Sequence, residues 1–594
     1  MSFRWGPGPV FHYEWVTSSR RWQMYAGRSL FVLLLLAALF TVWYTDANQY
    51  SSATGLSGYR KILAEMGEKF FYAVVGTQLT LVLLVAPALT TGAVCVDKTR
   101  GTLLHLLTTD LTNAEIILGK LATRLVTLFN LVLCTFPVLF LCTLEGGIDP
   151  DALIGAFLIT LGVAIFTGTL ALTLSVWCRK TYEVLLAVYM IVFLLLIVNP
   201  LLRFWGLKVT PPFWIEALNF YWVAFAPYMI PGAITLADDC AFLGGCVLAA
   251  VLFVMAAVWR VRAVAIRQSS QVTKPRGRWL RFLDLGRLTW WLPGFGLDFN
   301  PVLWREWHRK RPSRWVRAVW TVYVTLALIF TGTAIWQYFV AANRTELGPF
   351  VNAFQVALGL LLVSVGSVTA LSEERVRGTM DLLLTTTIPT WKIVCGKWCG
   401  VYRTVILLSV LPGMLMFAIG YRAEFWPAVQ VMVGLVLAYG AAVTSFGLAL
   451  ATWNRRPGRA LALSVIVYVA ITAGWFLVVF LLLRWSFSDT AQGLAIGSPW
   501  YGSGLLTADM EMQGRMASAS VRNAFELRHF GWAILWTFLY ALAAAVLLAL
   551  TLATFNASLG RMPYYPGPVH EAVRPARARA ARARPAAARL VRRE

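Results

Sequence analysis

Long apolar runs alternate with short polar segments from one end of the chain to the other. Each run can form a helix of about 20 residues, which is the length that a bilayer core requires. Charged residues and histidines gather at the ends of the runs and are almost absent from their interiors. The pattern predicts an all-α polytopic membrane protein with about 12 transmembrane helices, at residues 27–45, 70–94, 120–143, 152–177, 183–204, 241–261, 317–340, 350–372, 397–420, 426–453, 459–483 and 531–555.

Composition and charge support the same class. Charged residues make up 13% of the chain, against roughly 25% in soluble domains. The net charge of +24 is concentrated in alternate loops, which the positive-inside rule explains better than nucleic-acid binding does. We therefore expect an integral protein of the plasma (inner) membrane that has both termini in the cytoplasm, contacts membrane lipid and has no specific nucleic-acid partner.

One polar stretch occurs twice, at residues 97–109 and 374–386. At one fixed offset, both copies have Arg-Gly-Thr, a leucine pair and Thr-Thr, and Ile, Gly and Lys follow downstream. The glycines, Gly101 and Gly378, allow the chain to turn out of the preceding membrane helix. The leucines then predict a short helix with one apolar face. We call the two copies the repeated motif.

A second pattern precedes the first span of each half. Pro9, Val10, Glu14 and Trp15 recur at the same spacing as Pro301, Val302, Glu306 and Trp307. Aromatic and basic residues here favour a helix in the membrane interface. Six spans follow each such helix, so the two halves are predicted to be parallel repeats. The predicted domains are an interfacial helix (1–26), a six-span domain (27–262), a basic cytoplasmic linker (263–299), a second interfacial helix (300–316), a second six-span domain (317–556) and an Arg/Ala/Pro-rich cytoplasmic tail without fixed structure (557–594).

Smaller signals concern helix ends and loops. Thr112 and Glu115 have the spacing of a capping box and predict the start of a helix. A proline-broken apolar segment between spans 5 and 6 predicts short helices that dip in from the outer face. The corresponding segment of the second half, residues 484–530, is more polar and is expected to cap that face.

The sequence contains no catalytic constellation. It has no Gly-x-x-x-x-Gly-Lys-(Ser/Thr) phosphate loop and no Cys/His spacing of a zinc site. We therefore expect no enzyme activity, no cofactor and no metal in this chain.

The repeated motif, followed by Ile-x-x-Gly-Lys, resembles the coupling-helix region of ABC-2 type transporter permeases. In that family a cytoplasmic segment between two spans of a six-span domain docks on a cytoplasmic ATPase. The resemblance therefore implies the permease of an exporter, with two six-span domains fused and a cytoplasmic ABC ATPase as partner. It assigns ATPase coupling to Asp97, Arg100, Gly101, Thr102, Leu103, Leu106, Leu107, Thr108, Glu374, Arg377, Gly378, Thr379, Leu383, Leu384 and Thr385.

Two other functions are compatible with the sequence. The chain could be an ATP-independent carrier or lipid scramblase whose polar helices lie on the leaflet. It could also be a non-transporting membrane anchor that recruits an ATPase. The parallel repeat, the motif and the uncharged span interiors favour the exporter over the carrier, whereas the anchor stays open. The substrate, and whether one chain or a homodimer forms the translocation unit, also stay open.

Overall fold

The computed structural model describes residues 8–20, 22–46, 55–144, 149–178, 180–204, 213–230, 232, 234–269, 300–308, 314–340, 347–376, 378–423, 425–454, 457–483, 488–515 and 529–560. Helices dominate these residues, and no β-strand occurs among them. The predicted all-α class is confirmed. Most of the predicted linker and tail, residues 270–299 and 561–594, lies outside the described residues.

The first half begins with a short helix and a first span. Its helices are α1 (Gly8–Ser19), α2 (Trp22–Asp46), α3 (Gly55–Thr90), α4 (Gly92–Arg100), α5 (Thr102–Leu107), α6 (Asn113–Leu133), α7 (Phe136–Leu144), α8 (Pro150–Trp177), α9 (Thr181–Phe204), α10 (Phe213–Glu216), α11 (Phe220–Met229) and α12 (Leu236–Ser269).

The second half repeats the sequence of elements. Its helices are α13 (Pro301–His308), α14 (Arg314–Val340), α15 (Leu347–Val376), α16 (Thr379–Leu384), α17 (Thr390–Ala423), α18 (Pro427–Trp453), α19 (Pro457–Val469), α20 (Trp475–Leu482), α21 (Asp489–Ala495), α22 (Pro499–Arg515) and α23 (Phe530–Leu559). A π-helical turn, Ala470–Gly474, joins α19 to α20. Both predicted interfacial helices are thus helical, as α1 and α13.

Ten helices of the described residues are long and apolar enough to cross a membrane. They coincide with ten of the twelve predicted spans, and these ten are confirmed as helices of sufficient length and apolar composition. The other two predicted spans correspond to α9 and to α19–α20, where the apolar stretches found, Thr181–Leu196 and Gly458–Gly474, are shorter. The domain boundaries remain predictions.

Local sequence accounts for several helix starts. Thr112 and Glu115 form the predicted capping box: the Thr112 hydroxyl accepts from the Glu115 amide at 3.2 Å, and Glu115 accepts from the Thr112 amide at 2.8 Å. Asp149 caps α8, which has Pro150 in its first turn. These caps satisfy backbone donors that the first helical turn leaves without an intrahelical partner.

A large apolar core runs through both halves. In the first half α8 packs on α12 and α3, and in the second half α18 packs on α23 and α17. The halves meet where α9 contacts α14 and α15. There the rings of Phe193 and Phe354 stack with their centroids 4.1 Å apart.

The loops before the sixth span of each half differ. In the first half the predicted short helices are present as α10 and α11, and α11 packs on α8 and α3. In the second half α22 packs between α15 and α17 and buries Leu506, Thr507 and Met510. Helix α22 therefore packs among the helices of the bundle and buries polar as well as apolar side chains, and does not simply lie over the bundle as expected.

Candidate functional site

A left-handed glycine separates each motif helix from the membrane helix before it. The φ angle is +78° at Gly101 and +69° at Gly378, a region that residues with a Cβ avoid. The next residue then bonds back across the turn: the Thr102 hydroxyl donates to Oδ1 of Asp97 at 3.1 Å, and the Thr379 hydroxyl donates to Glu374. The predicted turns out of the membrane helices are therefore present in both halves.

In the first half, one lysine connects the motif to the interfacial helix. Lys120, at the end of the downstream Gly-Lys pair, is buried in α6. Its Nζ lies 2.5 Å from Oδ2 of Asp97 and 2.7 Å from Oε1 of Glu14 in α1. Arg124, one turn further along α6, lies 3.5 Å from the other oxygen of Glu14. Three segments that are distant in sequence are thus held at one point.

The second half builds the same cluster from the corresponding residues. Lys397 in α17 is only 2% exposed. It contacts Glu306 of α13 and lies 3.0 Å from Oε1 of Glu374. Arg305 supplies the second cation, 3.3 Å from the same oxygen of Glu374.

Each cluster contains two carboxylates and two cations, although the second cation comes from a different helix in each half. Buried charges are tolerated when they are paired, because desolvation of an unpaired ion costs several kcal/mol. Arg124 on α6 binds Glu14, and Arg305 on α13 binds Glu374, so each cluster has its second cation. The repeat therefore preserves the charge balance even where it does not preserve residue identity.

The glycine before each lysine allows the interfacial helix to approach. A Cβ at Gly119 would lie 3.1 Å from the backbone nitrogen of Phe11 in α1. A Cβ at Gly396 would lie 3.0 Å from the backbone nitrogen of Leu303 in α13. Contacts this tight would require α1 or α13 to move away by a few tenths of an ångström, so glycine favours this close packing in both halves.

The basic residue at the second motif position binds the end of a neighbouring span. Lys98 donates to the carbonyl oxygens of Ser175, at 3.0 Å, and Cys178, at 3.1 Å, at the end of α8. Its counterpart Arg375 donates to the carbonyl oxygens of Thr452, at 2.7 Å, and Asn454, at 2.6 Å, at the end of α18. Cations stabilise helix C-termini because the last carbonyls there lack intrahelical partners.

The motif helices α5 and α16 each have a buried and an exposed side. Leu103 and its counterpart Met380 are buried, at 2% and 3% exposure, and Leu107 is buried as well. Leu104 is 40% exposed and Leu382 is 69% exposed. Among the leucines predicted to contact the ATPase, Leu103 and Leu107 therefore pack against the bundle, whereas Leu106, Leu383 and Leu384 are partly buried.

The Thr-Thr pairs end the motif helices. Thr108 donates to the carbonyl of His105 at 2.8 Å, and Thr385 donates to that of Leu382 at 2.9 Å. Their neighbours Thr109 and Thr386 make the same bond three residues back, both at 2.6 Å. Repetition of these threonines is thus explained within the chain, since their hydroxyls satisfy carbonyls at a helix C-terminus.

The tryptophans of the interfacial helices have local partners. Trp15 stacks on Phe11, with the ring centroids 6.1 Å apart. Trp307 lies beneath the guanidinium of Arg403, 5.3 Å from its ring centroid, and its carbonyl accepts from Arg403 at 3.2 Å.

The structure brings most of the predicted site residues together. Arg377 lies outside the described residues, and at Arg100 only the helical backbone is described. Several residues that hold the site were not predicted as site residues. The repeat marked two glycines and two lysines among them: Gly119, Gly396, Lys120 and Lys397. It did not mark the two arginines, because Arg124 and Arg305 do not occupy corresponding positions.

A recess opens beside the second motif helix. It has a volume of about 170 Å³ and is lined by Pro301, Val302, Arg305, Leu383 and Ile388, with Glu306 and Lys397 at its base. The recess combines apolar walls with one half-exposed arginine.

Comparison with protein families agrees with the repeated geometry. Residues 9–220 match a model described as ABC-2 family transporter protein, and residues 330–500 match a second model with the same description. Each match contains one copy of the repeated motif. The chain belongs to the ABC-2 transporter family. No curated protein sequence matches the chain significantly.

Membership of the ABC-2 family fits the rest of the chain. It is an integral membrane protein with two fused permease domains. ABC-2 permease domains are membrane components and not ATPase domains, and such permeases generally work with a cytoplasmic ABC ATPase.

Proposed function

We propose that this ABC-2 permease is the membrane subunit of an exporter and receives energy from a separate ATPase that docks on α5 and α16. The proposal places both termini and both motif helices on the cytoplasmic side of the plasma (inner) membrane, as the distribution of lysine and arginine favours. The cargo would move outward through the bundle.

One observation carries the proposal: each motif helix has an exposed face, while its base is held by a buried charge cluster. Leu104 and Leu382 are available on the exposed faces. Asp97 and Glu374, at the bases, are bound through Lys120 and Lys397 to the interfacial helix and to the third span of their half. A displacement of α5 or α16 would therefore move two further elements of the bundle.

Within each motif, burial separates side chains that can contact a partner from side chains that pack on the core. Exposed leucines would contact the ATPase, and the buried Leu103 and Met380 would pass its movement to the core. The charge cluster would keep α1 or α13 in register with the motif during that movement. The recess beside Leu383 would admit a side chain of the ATPase.

The experiment is purification of the tagged chain from its host in mild detergent, followed by mass spectrometry of associated proteins and an ATPase assay. We expect a soluble chain with a phosphate loop. Leu382→Ala should weaken its binding by about 1–2 kcal/mol, or roughly 5–30-fold, as for a central interface residue.

Leu248→Ala is the matched control, because Leu248 is similarly exposed, at 63%, on the sixth span. If no such ATPase associates with the unaltered chain, the carrier or scramblase becomes the better explanation. If the ATPase binds but no cargo moves, a non-transporting membrane anchor becomes the better explanation.

A further inference from the structure

A small polar cluster joins the two halves directly beside the second motif. Lys180, in the short connection between α8 and α9, lies with its Nζ 2.5 Å from Oε1 of Glu373 in α15. The Tyr182 hydroxyl donates to the same oxygen. Lys180 also donates to the Tyr182 hydroxyl at 3.0 Å, so the three side chains contact one another. We call them the interhalf clamp.

The clamp lies between the two candidate docking sites. On one side, Lys98 of the first motif binds the carbonyl of Cys178, two residues before Lys180. On the other side, Glu373 directly precedes Glu374, which binds Lys397. The clamp is therefore joined to the first motif and to the second charge cluster by polar contacts and by short stretches of backbone.

The acid of the clamp has no counterpart in the first half. Each motif residue of the first half has its counterpart 277 positions later, as Asp97 has in Glu374. By that relation Glu373 corresponds to Val96. The ends of α8 and α18, Trp177 and Trp453, are 276 positions apart, so Lys180 corresponds to Arg456. Valine has no charged group, so an ion pair equivalent to Lys180–Glu373 cannot form at the corresponding place.

We propose that Lys180, Tyr182 and Glu373 are positioning residues that link the two ATPase docking sites, so that the displacement of one motif helix alters the other. The inference rests on the proposed function. It predicts communication between the two ATPase sites through the membrane subunit, by a path that lies on one side of the bundle.

A mutant cycle in the purified complex tests the link. The readout is the stimulation of MgATP hydrolysis by the permease, with Leu104→Ala and Leu382→Ala each weakening one docking face. If the two docking faces act independently, the fold-loss of stimulation in the double variant equals the product of the fold-losses in the two single variants. With the clamp intact, we expect the measured loss to differ from that product by about twofold or more.

Removal of the clamp should abolish this difference. In a Glu373→Gln background the losses should multiply, because the neutral amide cannot form the ion pair. The charge exchange Lys180→Glu with Glu373→Lys should restore the difference, while either change alone should not. Arg459→Ala, an exposed cation near the start of α19 in the second half, is the matched control and should leave the difference intact.

Two failures can be told apart. If no ATPase binds or is stimulated by the unaltered permease, the proposed function itself is wrong. If the ATPase is stimulated but the losses multiply with the clamp intact, or the difference persists in Glu373→Gln, the link through the clamp is wrong and the docking proposal stands.

Discussion

The buried lysine of the second charge cluster provides a sharp test of the structure. Lys397→Met keeps an unbranched side chain that is one atom shorter and removes its charge. Glu306 and Glu374 then lose their contacts with Nζ while their side chains remain only 6% and 9% exposed. Removal of one partner from a buried ion pair costs about 3–5 kcal/mol. We expect a loss of that size in the free energy of unfolding.

The first half should respond less to the same change. The acids around Lys120 are 17% and 22% exposed, so water solvates them partly after the lysine is removed. Each half keeps its second cation after the change, Arg124 beside Glu14 and Arg305 beside Glu374, so the difference between the halves comes from exposure. Lys120→Met should therefore cost roughly 2 kcal/mol, close to the loss of a hydrogen bond to a charged group.

The assay is reversible unfolding in mixed micelles, followed by tryptophan fluorescence. Lys392→Met is the matched control, since Lys392 lies on the same helix, partly exposed above the ring of Trp391. Adding Glu306→Gln to Lys397→Met should recover about half of the loss, because it removes a buried charge. A Lys397→Met protein within about 0.5 kcal/mol of the control would refute the reasoning.

Three further changes test the local geometry in the same assay. Gly396→Ala should displace α13, because the new Cβ meets a backbone nitrogen at 3.0 Å, whereas Gly366→Ala, with open space around its Cβ, should be tolerated; equal effects would contradict the close approach. Gly378→Ala should cost about 1–2 kcal/mol through its left-handed backbone, and Gly378→Asn should cost less because asparagine tolerates that region. Thr112→Ala should cost about 1 kcal/mol by removing the cap of α6, and no change in stability would mean that the capping box is unimportant.

Several features were determined by sequence alone, because they depend on neighbouring residues. Apolar runs of membrane length specify spans, since a bilayer demands about 20 apolar residues wherever they occur. Gly101 and Gly378 specify turns because only glycine readily adopts positive φ. Thr112 and Glu115 specify a helix start because their partners lie three residues apart. Repetition of whole patterns then revealed the two halves.

The composition of the charge clusters was decided by tertiary structure. Lys120 meets Glu14 across 106 residues of sequence, and Lys180 meets Glu373 across 193. No local periodicity specifies such partners, because any buried lysine can pair with any acid that packing brings near it. Tertiary structure adds that the hydroxyls of Thr108 and Thr385 bond their own helices while both residues stay exposed, so their contact with a partner remains a prediction.

The two sides of the motif helices show the same division. Leucines recur along α5 and α16, and their pattern predicts an apolar face, but a helix of six residues is too short for its periodicity to show which leucine turns inward. The contacts of Leu103 and Met380 with the bundle decide it, and they leave Leu104 and Leu382 exposed. Sequence therefore determined where the motif helices form, and packing determined which of their side chains remain available to a partner, because burial depends on the surfaces that surround a helix.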